Sequence, residues 1–229
     1  MKKLYLLLIC LSITAVSCTK DFEQMNENWK SPKGTDIGPL FNGLISSLQL
    51  TWDEQFYLSN EVFYPETELG ALISDGWGNT SIGTEAVWSN YYYALANVRD
   101  LESRFDELCG ESNDTAICDL ARAQVIILKA YKTFKVTDIF GDIPYTQAGR
   151  IWQPENDSVN YRKPKFDTQE SIYKSLLNEL VWARDVLSNA TEQTPSGNDY
   201  LSLSSFDPLM YGSLAKWAKF ANSLILRHG

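Results

Sequence analysis

Apolar residues recur three or four positions apart through most of this chain, and that spacing restricts the fold more than any other feature. Such spacing places them on one face of an α-helix. Residues 84–108 carry one such stripe, formed by Trp88, Tyr91, Tyr92, Leu95, Val98, Leu101 and Phe105. Residues 115–140 carry a second, formed by Leu120, Ala123, Ile127, Ala130, Phe134 and Thr137.

Three further segments show the same spacing, and no segment alternates over a length that would favour a β-strand. Residues 36–52 place Leu40, Leu44, Ile45 and Leu48 together. Residues 167–187, opened by Asp167 and Glu170 like a capping box, place Ile172, Leu176, Leu180, Ala183 and Leu187 together. Residues 211–226 place Leu214, Trp217, Ala221 and Leu224 together. Successive amphipathic helices in antiparallel pairs predict an all-α helical repeat scaffold over residues 36–229. No exact 34-residue repeat is present, so a tetratricopeptide-like arrangement rests on helix order alone.

The N-terminus is typical of an export signal. Lys2 and Lys3 precede an apolar run over residues 4–16, which is shorter than the roughly 20 residues of a membrane span. Ala15, Val16 and Ser17 then lead into Cys18, an order that resembles a bacterial lipobox. We expect residues 1–17 to be removed, Cys18 to carry lipid, and residues 18–35 to form a tether. An ordinary signal peptide with an incidental cysteine is the alternative.

The composition indicates a globular, acidic protein. Hydrophobic residues make up 44% of the chain, and its formal net charge is −9. That charge argues against nucleic acid and anionic lipid headgroups as partners. Cys109 and Cys118 flank a short polar segment, and export would permit a disulfide between them. Two free thiols are the equally open alternative.

Catalytic and cofactor motifs are missing from the sequence. The single histidine, His228, stands next to the last residue. This argues against serine or cysteine catalysis that needs a histidine base, and against HExxH zinc chemistry. No phosphate-binding glycine loop or calcium loop is present, so we expect no cofactor and no metal.

The segment FGDIPYTQA, residues 140–148, follows the second long helix and predicts a sharp stop. Gly141 favours a left-handed terminating residue, and Pro144 prevents the helix from resuming. Phe140 and Tyr145 can pack on either side of this turn. The segment also resembles a hallmark of the SusD/RagB family of nutrient-binding outer-membrane lipoproteins. The stretches SCTKDFEQMNEN, VWSNYYYALANVRDL and DPLMYGSLAKWAKFANSLIL resemble other parts of that family, in the same order.

The resemblance implies a function. Members of this family are not enzymes; they sit on the cell surface in the outer membrane, anchored by lipid. They capture glycans or peptides and deliver them to a SusC-like TonB-dependent transporter. A helical-repeat adaptor that binds protein is an alternative, and an exported carbohydrate-active enzyme is a weaker one. Chains of this family continue past the last helix seen here, so we expect a scaffold that is incomplete at the C-terminus. We also expect an exposed apolar patch at that end, around Trp217 and Phe220.

Candidate ligand contacts lie in the loop SDGWGNTSIG, residues 74–83. Trp77 stands there between two glycines, and its indole could stack on a sugar ring. Asp75 and Asn79 could supply hydrogen bonds to hydroxyl groups. Trp77 could equally anchor its own loop to the core. Trp88 and Trp217 lie on helical stripes and are predicted to be core residues, whereas Trp52 and Trp152 are undecided.

Overall fold

All five segments with helical spacing form α-helices. The computed structural model describes residues 37–70, 80–111, 115–151, 161–190 and 202–229, which all belong to one compact unit, Asp36–Gly229. The α-helices are α1 (Ile37–Ser46), α2 (Tyr64–Glu66), α3 (Thr80–Glu111), α4 (Thr115–Phe140), α5 (Gln169–Asn189) and α6 (Leu214–His228). The predicted all-α class is confirmed.

Short elements connect these helices. A π-helix, Glu54–Phe63, leads directly into α2, and a 3-10 turn, Ser204–Phe206, precedes α6. Two strands, β1 (Ile143–Pro144) and β2 (Phe166–Asp167), pair antiparallel, with Ile143 opposite Asp167. The extended conformation of Ile143 is the one expected for a residue before proline.

Helices α3 and α4 form an antiparallel pair. Tyr91 in the first half of α3 contacts Thr133 in the second half of α4, with 3.3 Å between the hydroxyl oxygens. At the opposite end, a disulfide joins Cys109 to Cys118, with the two Cα atoms 6.0 Å apart. Contacts made early in α3 therefore fall late in α4, and contacts made late in α3 fall early in α4. This is the antiparallel arrangement of an αα-hairpin.

Helices α5 and α6 continue the antiparallel packing beyond the α3–α4 pair. Lys129 on α4 lies 2.7 Å from a carboxylate oxygen of Glu179 on α5. Tyr173 at the start of α5 contacts His228 at the end of α6, with 5.8 Å between the ring centroids. The start of α5 therefore meets the end of α6. Successive helices in this order are consistent with the predicted repeat scaffold.

Helix α4 is buried on most of its surface, whereas the sequence predicts a single buried stripe. Residues off that stripe, such as Val125 and Leu128, are as buried as Ile127 on it. The polar side chains of Gln124 and Lys132 are buried as well. The reason is position: α4 packs against α3, α5 and α6, so little of it faces solvent. A helix surrounded on several sides needs apolar residues around more of its circumference than a surface helix.

The N-terminus of α5 differs by one residue from the capping box read in the sequence. Thr168, not Asp167, is the N-cap, and its side chain accepts a hydrogen bond from the Ser171 backbone N–H. Glu170 pairs with Lys174 one turn later. Asp167 instead belongs to β2, where its carboxylate binds another segment.

The stripe of α6 is covered by earlier helices. Trp217 is fully buried, and its ring centroid lies 6.1 Å from that of Phe41 on α1. The indole N–H donates to buried Asp207 across 2.8 Å. Phe220 packs beside Tyr131 on α4. The expected exposed patch around Trp217 is therefore wrong, because α1 and α4 supply the missing partners. The large apolar side chains that do remain exposed in residues 202–229 are Leu209, Tyr211 and Leu226.

Trp88 lies at the edge of the core rather than deep within it, where it packs against Phe140. Among the described residues, no helix is both long and apolar enough to span a bilayer.

Candidate binding site

The residues predicted to bind lipid or ligand lie outside the described part of the chain. Cys18 belongs to residues 1–36, and Asp75, Trp77 and Asn79 belong to residues 71–79. Their roles stay predictions. Trp152 is also outside, whereas Trp52 is 70% exposed and stacks on Phe56 at 5.2 Å between centroids.

The segment 140–148 begins with the predicted helix stop. Gly141 has a φ of +73°, in the left-handed region that favours glycine. The Thr137 hydroxyl donates to the Gly141 carbonyl across 2.6 Å, which closes the last turn of α4. Phe140 packs edge-on against Trp88, and Tyr145 is buried. Both aromatic residues that flank the turn are therefore packed, as the sequence predicts.

Arg99, on α3, binds carbonyl groups of this segment. Its guanidinium donates to the carbonyls of Tyr145, at 2.9 Å, and Ala148, at 3.4 Å. The Tyr92 hydroxyl donates to the Pro144 carbonyl at 2.9 Å. Two residues of α3, Tyr92 and Arg99, therefore hold the carbonyl side of the segment.

Asp167 fixes the amide side from β2. Its Oδ2 accepts hydrogen bonds from the backbone N–H groups of Tyr145 at 2.9 Å and Thr146 at 2.8 Å. The Thr146 hydroxyl donates to the same carboxylate. With both its carbonyls and its amides bonded to the scaffold, the segment is a structural junction between α4 and α5. The carbonyls of Pro144, Tyr145 and Ala148 and the amides of Tyr145 and Thr146 are therefore already used within the protein.

A group of charged side chains lies beneath this junction. Arg99 and Lys129 are almost fully buried, and both contact Glu102, at 2.7 Å and 3.0 Å respectively. Lys129 also contacts Glu179, and Arg150 approaches Glu102 at 3.4 Å. Helices α3, α4 and α5 each contribute at least one charge to this buried charge cluster.

In this cluster, the effect of neighbouring opposite charges on the pKa values of Glu102 and Lys129 outweighs the effect of burial. Burial alone would raise the pKa of Glu102, but Lys129 and Arg99 lower that pKa to about 2. Burial alone would lower the pKa of Lys129, but Tyr145, Glu102 and Glu179 raise it. Both groups are therefore charged at neutral pH, and neither has the intermediate pKa expected of a general acid or base.

Two adjoining clefts open beside the cluster and share Arg122 and Ile126. The smaller, about 260 Å³, is lined by cluster residues such as Glu102, Lys129 and Arg150. The larger, about 590 Å³, lies between the α3–α4 disulfide and the outer face of α5. We call it the disulfide cleft; its lining residues are Cys109, Cys118, Asp119, Arg122, Ile126, Asn178, Glu179 and Trp182.

The disulfide cleft combines an apolar interior with polar side chains. The disulfide, Ile126 and the indole of Trp182 are apolar, whereas Asp119, Arg122, Asn178 and Glu179 bring carboxylate, guanidinium and amide groups. Trp182 is 39% exposed and therefore presents part of its ring system to solvent. An apolar pocket with a few polar groups, of about 300 to 1,000 Å³, is the usual form of a small-molecule site.

A third cleft, about 400 Å³, lies between the residues before the π-helix and α3. Thr51, Asp53, Glu85 and Asn90 give it a mainly polar lining. Buried Glu54 beside it is already bonded to Thr51 and Asn90 and paired with Lys135. These bonds stabilise the start of the π-helix, so this cleft is the poorer candidate.

The described residues do not assemble a catalytic centre of a familiar kind. His228 stacks on Phe134 at 4.0 Å between centroids and meets the ring of Tyr173 at 5.8 Å, so it packs among aromatic side chains. Within the described part of the chain, no group of three or more histidine, cysteine or acidic side chains could hold a metal ion.

Sequence reasoning missed Trp182, although a signal was present. The buried stripe of α5 includes Leu180 and Ala183. Trp182 falls between them, on a different face that also carries Asn178 and Glu179 one turn earlier. A tryptophan off the buried face of an amphipathic helix is a large apolar group placed toward solvent. That placement was visible in the sequence, but the cleft around it was not.

Comparison with known proteins adds a family. A family model named SusD-like, described as starch-binding and associating with the outer membrane, matches residues 75–229. The matched range includes the junction at residues 140–148 and the disulfide cleft. Comparison with curated proteins gave no match.

Two solved structures share the fold. A SusD/RagB family protein from Bacteroides thetaiotaomicron has a TM-score of 0.53 and 24% identity, over 82% of this chain and 36% of its own. A protein from Bacteroides vulgatus, proposed to be an outer membrane protein involved in nutrient binding, has a TM-score of 0.51 and 22% identity. That alignment spans 84% of this chain and 35% of the other. The chain therefore corresponds to about a third of the length of these structures.

Proposed function

Because this chain belongs to the SusD/RagB family, we propose that it is a nutrient-binding lipoprotein of the outer membrane. In this proposal it captures a glycan or peptide and passes it to a SusC-like TonB-dependent transporter. The observation that carries the proposal is the family match over residues 75–229, more than half of the chain. A helical scaffold with an open, partly apolar cleft and no assembled catalytic centre in its described residues is consistent with a binding role.

The proposal also assigns the lipid anchor and the residues that contact the nutrient. Cys18 carries the lipid, residues 18–35 tether the helical domain, and the protein faces the cell exterior. Asp75, Trp77 and Asn79 contact the nutrient. These assignments rest on the sequence: the short apolar run before Cys18 and the tryptophan between two glycines.

The test is binding by the full chain, purified from membranes in detergent. Calorimetry with α-glucan oligosaccharides, other glycans and short peptides should give saturable heat with at least one class. Affinity purification of the full chain from its native membranes should recover a TonB-dependent transporter with it. Cys18→Ala should move the protein out of the membrane fraction without changing ligand affinity.

Two results would contradict the proposal. One is the absence of binding to every glycan and peptide, together with failure to recover a transporter. The other is turnover of a glycan by the purified chain, which would favour a carbohydrate-active enzyme instead.

A further inference from the structure

We propose that the disulfide cleft binds a pyranose unit of a glucan chain, with the indole of Trp182 as the stacking surface. The ligand class rests on the proposed function, whereas the location rests on the geometry of α3, α4 and α5. None of its lining residues is among Asp75, Trp77 and Asn79, the ligand contacts predicted from the sequence.

Trp182 is placed as a ligand platform rather than as a core residue. It is 39% exposed, while Leu180 and Ala183 on either side of it are fully buried. Removing it would therefore leave the buried face of α5 intact. A partly exposed indole in the wall of a cleft offers an apolar face to a flat ligand. One face of a pyranose ring is formed by C–H groups and matches such a surface.

The polar side chains of the cleft suit hydroxyl groups. A sugar hydroxyl both donates and accepts hydrogen bonds, so its site needs both kinds of partner. Asn178 is exposed and provides an amide with donors and an acceptor. Asp119 provides a carboxylate acceptor, and Arg122 provides a guanidinium whose Nη2 already reaches Asp106 at 2.8 Å.

The charge balance favours a neutral ligand over an anion. Glu179 is paired with Lys129 at 2.7 Å, and Arg122 is paired with Asp106. Asp119 adds a negative charge to the lining. The cleft therefore has no excess of positive charge that would attract a phosphate or carboxylate. A neutral polyhydroxylated ring fits this balance better.

The walls of the cleft are held in place before a ligand arrives. The disulfide fixes the end of α3 to the start of α4. The Lys129–Glu179 ion pair fixes α4 to α5, which carries Trp182. Because little of the site must be ordered on binding, less of the interaction energy is lost to conformational entropy.

The experiment measures maltoheptaose binding to the full chain by calorimetry, for wild type, Trp182→Ala and Trp182→Phe. We expect Trp182→Ala to weaken binding about tenfold or more, and Trp182→Phe to lose less because a ring remains. Trp52→Ala is the matched control, since Trp52 is an exposed tryptophan outside the cleft. It should bind like wild type.

A second readout reports on the cleft directly. In ¹H–¹⁵N spectra of the full chain, the indole N–H signal that Trp182→Phe removes belongs to Trp182. Added maltoheptaose should shift that signal in the wild type. Asn178→Ala should weaken the same binding about threefold to tenfold, as expected for the loss of one hydrogen bond.

The outcomes separate this inference from the proposed function. If the chain binds glucan but Trp182→Ala binds equally well and the Trp182 signal does not move, the inference is wrong and the proposed function stands. If the chain binds peptides and no glucan, the inference is also wrong. If it binds no glycan or peptide and recovers no transporter, both fail.

Discussion

The junction at residues 140–148 and the disulfide cleft show how differently two regions of one scaffold use polar groups. At the junction, Arg99 and Asp167 bond the carbonyls and amides of the turn to neighbouring elements. At the cleft, Asn178 and Trp182 face solvent from the outer side of α5. The junction joins helices, whereas the cleft presents groups that a ligand can use.

The difference teaches that a prominent motif need not be a binding motif. The segment FGDIPYTQA is the most recognisable part of the sequence, yet its aromatic residues and backbone groups are taken up by packing and hydrogen bonding. The cleft brings residues around the α3–α4 disulfide together with residues of α5, which lie far from them in the sequence, and none of these residues belongs to a motif. Substitutions at the junction should therefore change stability, and substitutions in the cleft should change binding.

The largest expected effect comes from Arg99→Ala. The change removes two donors to the junction and leaves Glu102 with one fewer partner. We expect the free energy of unfolding to fall by about 3–5 kcal/mol, the range for breaking a buried charged pair. Urea unfolding followed by circular dichroism measures it.

Arg99→Lys and Asn178→Ala are the matched variants for that measurement. Arg99→Lys keeps the charge but loses the guanidinium geometry, so its effect should be intermediate. Asn178→Ala lies in the cleft and should change stability by less than about 0.5 kcal/mol. If Arg99→Ala and Asn178→Ala lowered the free energy of unfolding equally, the expected difference between the junction and the cleft would be wrong.

Glu102 pairs with Arg99 beneath the junction and lines the smaller cleft that adjoins the disulfide cleft, and pH should reveal its contribution. Its pKa is lowered from 4.5 to about 2 in the folded protein. A lowered carboxyl pKa contributes stability that is present above the unfolded value and is lost as the pH falls from about 5 toward 2. Over that range the contribution is on the order of 3 kcal/mol, at about 1.4 kcal/mol per pKa unit.

The measurement compares urea unfolding of wild type and Glu102→Gln between pH 7 and pH 3. The wild type should be the more stable at pH 7, and the difference should narrow as the pH falls. A difference that does not depend on pH would mean that Glu102 acts through packing alone.

Among the variants at the junction, the smallest effect is expected from Asp167→Ala. Asp167 accepts hydrogen bonds from the N–H groups of Tyr145 and Thr146, which would lose their partner. Water can reach Thr146, which is exposed, so the loss should be about 1–2 kcal/mol. Thermal unfolding provides the measurement, and wild-type glucan affinity in this variant would support the separation of junction from cleft. A tenfold loss of affinity would argue that the two regions are coupled.

Helix positions and the junction were largely predictable from the sequence, because both depend on local patterns. Spacing of apolar residues located α3 and α5, and Gly141 with Pro144 located the stop after α4. The burial of α4 on most sides was not predictable, since it depends on which helices surround it. The same holds for Trp217, whose partner Phe41 lies 176 residues earlier in the chain.

The candidate site was less accessible to sequence reasoning. Cys109 and Cys118 were recognised as a possible pair, but not as part of a cleft. Glu102 and Lys129 are 27 residues apart and meet through packing of two helices. No rule of local spacing brings Asp119, Asn178 and Trp182 together, because their proximity follows from how α4 and α5 align.

That alignment has a consequence through Lys129. Apolar faces of two helices can slide past each other by one turn, about 5.4 Å, and still contact apolar surface. A shift of that size between α4 and α5 would carry the Lys129 ammonium away from Glu179, which lies 2.7 Å from it. Lys129 would keep Glu102 on α3, 3.0 Å away, but would lose its second carboxylate, which destabilises the shifted packing. Lys129 therefore favours the observed alignment of α4 with α5 over packings that are shifted by one turn.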